Sequence, residues 1–227
     1  MHPSDFSQLG GAILLIVAAL LPVVNPLGDA PIFLTMTAGC DASTRVELAK
    51  RIAFYSFALL LGSMLLGSFV LRLFGLSIPV VQVAGGAVVC ALGWNLLAYE
   101  PKPAVVTDDP NHIRLIALGR AFYPLTLPLS VDAGVIAVAI TVGANHAHTI
   151  RLAIIQFLAG TIGSGIIALT ILLTYRYAEA VGRRIGRTGM IVVLRLSAFI
   201  MVCIGVGIAW NGVKSLLAQI GIQGASA

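Results

Sequence analysis

Two aspartates interrupt otherwise uncharged stretches of this chain, and each stands among prolines. Asp29 lies in Pro22-Val-Val-Asn25-Pro26-Leu27-Gly28-Asp29-Ala30-Pro31, and Asp132 in Pro124-Leu-Thr126-Leu-Pro128-Leu-Ser130-Val-Asp132-Ala133-Gly134. Proline lacks a backbone donor and clashes with the preceding turn, at a cost of about 3 kcal/mol inside a helix. The first segment therefore predicts half-helices over residues 11–24 and 30–38, joined by unwound backbone at 25–29. The second predicts a like break around residues 124–134. Half-helix N-termini present free N–H groups and the positive end of the helix dipole, which attract a carboxylate. Opened carbonyls and aspartate side chains suit an ammonium group, Na⁺ or a proton, and a small zwitterion such as an amino acid uses both sets. Asn25, Thr126 and Ser130 add neutral hydrogen-bonding groups, and the residues flanking the breaks are small. The candidate substrate-binding residues are Asn25, Pro26, Gly28, Asp29, Pro31, Pro124, Thr126, Pro128, Ser130, Asp132 and Gly134. A plainer reading stands beside this one: both aspartates could be helix N-caps that only satisfy open N–H groups.

The elements that position these residues are set by composition. Of 227 residues, 59% are hydrophobic and 10% charged, whereas a soluble domain is about half apolar and a quarter charged. A chain this short cannot hide so much apolar surface in one core. Residues 52–71, 73–99 and 152–175 carry no charge. Residues 6–40, 121–150 and 188–213 carry one each: Asp29, Asp132 and Arg195. A spanning helix needs about 20 apolar residues, so the pattern predicts an all-α polytopic membrane protein with six transmembrane helices. The strands of a β-barrel would alternate instead. Residues 1–9 hold no Lys or Arg, so the first span is not expected to be a cleaved signal peptide.

The spans fall into two related sets. Pro22 to Leu27 and Pro124 to Leu129 both read P-x-x-x-P-L, each followed by an aspartate. Gly93-Trp94-Asn95 corresponds to Ala209-Trp210-Asn211, with Cys90 and Cys203 just upstream. Three spans per set is an odd number, so the second copy must enter from the opposite side. The expected architecture is a 3+3 inverted repeat with spans 1 and 4 discontinuous, a plan typical of secondary transporters. It divides the chain into a first repeat (1–99), a polar cytoplasmic linker (100–119) and a second, inverted repeat (120–227). Unwound backbone at membrane depth is tolerated only against protein or a water-filled cavity, so the two breaks should face each other near the midplane.

Charge sets the expected orientation. With the N-terminus on one side, the opposite side receives Arg45, Lys50, Arg51, Lys102, Arg114, Arg120, Arg176, Arg183, Arg184 and Arg187, ten of the fourteen basic residues. The positive-inside rule makes that side cytoplasmic and places both termini outside, in a bacterial or archaeal cytoplasmic (inner) membrane. The surplus attracts anionic membrane lipid rather than nucleic acid.

Other features read as structural. Cys40, Cys90 and Cys203 lack metal or redox spacing. His146 and His148 could hold a metal, but a solvated loop is the simpler account, and no metal site is assigned. Trp94 and Trp210 suit span ends. Gly85-Gly86 and the small residues Ala159, Gly160, Gly163, Ser164 and Gly165 suit close helix packing. No nucleotide motif appears, so neither ATP drive nor a cofactor is expected.

The stretch Val24-Asn25-Pro26-Leu27-Gly28-Asp29-Ala30-Pro31-Ile32-Phe33-Leu34 resembles the signature of the MarC family of membrane proteins, and Val83-Ala84-Gly85-Gly86 and Pro124-Leu-Thr-Leu-Pro128-Leu resemble further family motifs in register. The resemblance implies six spans and membership of a wider group that includes LysE-type amino-acid exporters. Some relatives are reported as transporters of small neutral amino acids such as glycine and alanine. The family usually has Asn at the position of Asp29 and Gly-Pro-Gly at that of Asp132-Ala133-Gly134. Both departures add acid beside the candidate site and point to a cationic substrate or proton coupling.

The leading expectation is a secondary transporter or exporter of a small solute, an amino acid or related metabolite, with H⁺ or Na⁺ coupling. The alternative is a non-transporting membrane protein with an assembly or signalling role, whose breaks would pack dry. An intramembrane enzyme ranks last, because no nucleophile and base, or metal constellation, shares one depth. Substrate identity, direction and oligomeric state stay open.

Overall fold

The computed structural model describes residues 3–98, 110–144 and 149–224, all of them helix, turn or irregular connection. In chain order the elements are α1 (Pro3–Val24), α2 (Pro26–Met36), α3 (Ala42–Leu73), α4 (Ile78–Leu97), α5 (Pro110–Gly119), a π-helical segment (Leu125–Ser130), α6 (Ala133–Gly143) and α7 (Ile150–Gly224). α7 is bent at Gly186, where φ 74° and ψ 173° leave helical space. A positive φ is open to glycine at little cost, so Gly186 joins two limbs, Ile150–Gly186 and Thr188–Gln219.

Five helices are long and apolar enough to cross a membrane: Phe6–Val24, Ala42–Leu73, Ile78–Leu97 and the two limbs of α7. The fourth expected span is shorter. Its only α-helix is the 11-residue α6, ~17 Å long at 1.5 Å per residue against a hydrocarbon core of ~30 Å. Proline is the reason: Pro124 and Pro128 stand where the preceding half would wind. In the five long helices at most 39% of the most apolar stretch is buried. Phe54, Leu66, Phe69, Leu169, Val192 and Phe199 point outward, as a lipid-facing exterior requires.

Lipid tails are as apolar as the core, so helices here associate through close packing rather than hydrophobic burial. α4 and the second limb of α7 show how. A methyl group added at Gly86 would stand 2.5 Å from Ala209 N and 2.6 Å from Gly205 O. One at Gly205 would stand 2.7 Å from Cys90 N, and one at Gly93 2.9 Å from Ala198 O. These glycines recur on one face of each helix and bring the two backbones into contact. Cys90 Sγ lies 3.5 Å from Val202 O, so this cysteine packs as expected. On another face of α4, Gly85 lies against Ala133 and Ala137 of α6. A buried cluster including Leu20, Phe33, Leu48, Leu60, Val135, Ile167 and Tyr175 ties α1, α2, α3, α6 and α7 together.

The basic segments gather at one end. Glu179 accepts from Arg45 and from Arg183, each at 2.6 Å. Glu47 accepts from Arg51 at 2.8 Å and Arg114 at 2.7 Å. Arg45 also donates to the carbonyl of Thr37, the residue closing α2, at 3.3 Å. α3 starts at Asp41, whose carboxylate accepts from Thr44 N at 3.2 Å and from the Ser43 hydroxyl. The Ser43 bond first, and then those from Thr44, lower its pKa to about 2. Burial raises the pKa of the neighbouring Cys40 thiol. The expected polar linker is helical in its second half, where α5 runs; residues 99–109 and the His-Ala-His motif at 146–148 lie outside the described residues.

Candidate functional site

The first break is narrower than the sequence suggests. Only Asn25 leaves helical space, in the left-handed region at φ 45° and ψ 55°, and α2 begins at Pro26 rather than at residue 30. Pro26 fits the first turn because it needs no donor there. Gly28 N–H and Asp29 N–H both bond to Asn25 O, at 3.0 and 3.2 Å. Asp29 is therefore not the N-cap of α2. It sits within the first turn, 4% exposed, and its Oδ2 has no hydrogen-bond partner. Pro26 and Pro31 have no N–H, so the carbonyls of Pro22 and Leu27 lack their in-helix donors.

The second break is wider. Leu125, Leu127, Leu129 and Val131 each donate five residues back, to Arg120, Phe122, Pro124 and Thr126. Leu127 departs from helical angles, and the bonds into Pro124 and Pro128 are cis. Thr126 Oγ1 donates to Ala121 O at 2.7 Å and Ser130 Oγ to Leu125 O at 3.0 Å, so both hydroxyls serve the unusual winding. Asp132 is the N-cap of α6: its Oδ1 accepts from Val135 N at 2.8 Å. The cap reading holds for Asp132 and fails for Asp29.

A chain of contacts joins the breaks. Phe33, one turn after Asp29 on α2, stacks on Tyr175 of α7 with ring centroids 4.5 Å apart and planes 9° apart. The Tyr175 hydroxyl meets Ser130 Oγ at 2.8 Å, two residues before Asp132. Both aspartates, Ser130 and Tyr175 are nearly inaccessible. These contacts link the segment that carries Asp29 to the one that carries Asp132. Buried polar and charged residues among those described comprise these two carboxylates with Thr and Ser hydroxyls, and no Lys, Arg or His.

Among the other expected site residues, Gly28 packs so closely that an added methyl would meet the Asn25 side chain and stand within 2.8 Å of Ser197 Oγ on α7. Gly134 packs on Val89 of α4. Pro26 and Pro31 are buried, Asn25 and Pro124 half-buried, and Pro128 exposed on the exterior. The sequence reading missed Tyr175, Phe33 and Ser197. Tyr175 ends an uncharged run and was available only as a span boundary; its partners come from other elements.

A separate cavity of ≈ 380 Å³ opens among α1, α3, α6 and α7, lined by Ile16, Met64, Gly143, Gln156 and Gly160 among others. It lies toward the end where α1 starts, ~14 Å along α1 from the break. Leu20, Leu60 and Ile167, each fully buried, follow it along the helices toward the aspartates.

The profile of a family described as "MarC family integral membrane protein" matches residues 11–217. Membrane protein YvbG of Bacillus subtilis (strain 168) is 31% identical over 200 residues, covering 87% of this chain and 92% of that protein. Inner membrane protein MarC of Citrobacter koseri is 28% identical over 220 residues, and its namesake in Escherichia coli (strain K12) 27% over 221, each covering 91% of this chain and 96% of the relative. No solved structure matches.

Proposed function

The chain belongs to the MarC family of integral membrane proteins, and on that premise we propose that it is a secondary transporter of a small solute, an amino acid or related metabolite. It works without enzymatic chemistry, by alternating access around its two interrupted helices. The observation that carries this reading is the cluster joining the breaks: two buried carboxylates, one with an unpartnered oxygen, tied by Phe33, Tyr175 and Ser130. A buried acid at membrane depth costs several kcal/mol, and such residues mark solute and ion paths.

The arrangement is that of six crossings in a 3+3 inverted repeat, with α1–α2 and the π segment–α6 as the discontinuous members. Two 11-residue helices beginning beside a break support it. The ion pairs that collect Arg45, Arg51, Arg114 and Arg183 at one end support a cytoplasmic placement of that end. Both termini then lie outside, and relatives named as inner membrane proteins support that membrane. The site residues are those named from the sequence, less Pro128, whose side chain faces outward, and with Tyr175 added. Coupling to H⁺ or Na⁺ runs through the aspartates.

Proteoliposomes preloaded with an unlabelled solute and diluted into the same solute labelled, over a panel of amino acids and related metabolites that includes small amines, test the reading. Counterflow in the native protein, reduced at least tenfold in both Asp29→Ala and Tyr175→Ala, is expected. Absence of counterflow for every solute in that panel rejects it.

A further inference from the structure

The two helix ends at the breaks differ from free N-termini in one respect: each already carries its own carboxyl group. At α6, Asp132 Oδ1 takes the Val135 N–H at 2.8 Å and Asp132 O takes the Ile136 N–H at 3.0 Å. At α2, Pro26 has no N–H, while Gly28 and Asp29 both give theirs to Asn25 O. The donors that would greet a solute carboxylate are thus largely occupied, and the positive dipole ends face built-in carboxylates. What remains open is an acceptor. Asp29 is 4% exposed and its Oδ2 has no partner; one turn on, Phe33 stacks on Tyr175, whose hydroxyl meets Ser130 on the segment that Asp132 closes. An unpaired buried carboxylate oxygen carries a large desolvation cost that a cationic donor removes.

We propose that the space between Asp29 and Asp132 is a binding site for a primary ammonium group, and that the chain selects small amines without a free carboxylate over zwitterions and anions. This rests on the transport reading and adds the chemical class of the solute. Asp29 Oδ2 accepts one ammonium hydrogen, Asp132 supplies the second negative charge, and the Ser130–Tyr175 hydroxyl pair lines the same cluster. The hydroxyl hydrogen between them rotates, so the pair can turn an oxygen lone pair toward a donor. The cluster is enclosed, so the amine enters when the bundle opens.

Purified protein is heated in detergent with methylammonium chloride, glycine, sodium acetate or sodium chloride at equal ionic strength, and unfolding is followed by the fluorescence of Trp94 and Trp210. Saturating methylammonium is expected to raise Tm by about 3 °C or more, with acetate, glycine and sodium chloride giving at most a third of that. Asp29→Asn, which preserves shape, should abolish the rise; Asp132→Asn, which still caps α6, should at least halve it and serves alone if the first variant does not fold. A rise with acetate, glycine or sodium chloride equal to that with methylammonium overturns the proposal, as does an unchanged rise in Asp132→Asn. Glycine counterflow in vesicles without any methylammonium stabilisation overturns this inference and leaves the transport reading standing. Methylammonium stabilisation without counterflow of any solute does the reverse.

Discussion

Phe33 lies flat on Tyr175, with 4.5 Å between ring centroids, and through that contact α2 is fixed against the helix whose hydroxyl reaches the other break. Removing either ring unties the two breaks, but by different amounts. Phe33→Ala deletes a fully buried aromatic and should cost about 3–5 kcal/mol. Tyr175→Phe keeps the stack and loses only the 2.8 Å bond to Ser130, about 1 kcal/mol. Equilibrium unfolding of both variants in mixed micelles checks the ratio.

Asp132 separates cap from charge. Asp132→Asn keeps an oxygen for Val135 N and should leave stability close to native, while Asp132→Ala should lose about 1 kcal/mol. If both variants lose the same amount, the carboxylate's charge rather than its capping oxygen holds α6.

The glycine seam between α4 and the second limb of α7 has almost no slack. Gly86→Val places branched carbon where Ala209 N stands 2.5 Å from the first added atom, and should abolish accumulation of folded protein in the membrane. Gly62→Ala and Gly165→Ala meet open space and should accumulate normally, as measured by size-exclusion profiles of tagged protein.

Asp41 gives a pH signature outside the membrane. Its folded pKa is lowered to about 2 against roughly 3.9 in an unfolded chain. A lowered carboxylate value contributes stability that is present above the unfolded value and lost as pH falls through the folded one. The Tm difference between native protein and Asp41→Ala should stay level from about pH 8 to 5, then shrink between about pH 4 and 2.

Arg45 and Glu179 pair partly out of water, with 18% and 36% side-chain exposure, while Arg51, which pairs with Glu47, is 45% exposed. Double-mutant cycles should give about 1 kcal/mol for the first pair and under about 0.5 kcal/mol for the second. Salt should weaken the second more.

Much of this fold was legible because membranes make sequence patterns blunt. Runs with no charge or a single one marked the five long helices, and Pro22, Pro26, Pro124 and Pro128 marked both breaks. The detail at Asn25 was not legible: proline says where a helix cannot continue but not which residue absorbs the turn, and a left-handed Asn let α2 restart at once. The same economy moved Asp29 from cap to first turn. In the fourth span Pro124 and Pro128 announced the interruption but not its form, since nothing in so apolar a stretch distinguishes winding with bonds that reach five residues back. Tyr175 and Ser197 gave no sign, since their importance comes from partners far away in the chain. Gly186 was one glycine among many, and only its angles set it apart.

The backbone contact between α4 and the distal limb of α7 has a mechanical corollary. Helices touching at Gly86, Gly93 and Gly205 cannot slide past one another without collision, so in any rearrangement they travel as a single rigid blade. Gly186, the one point at which α7 leaves helical angles, is where that blade is jointed to the limb that carries Tyr175.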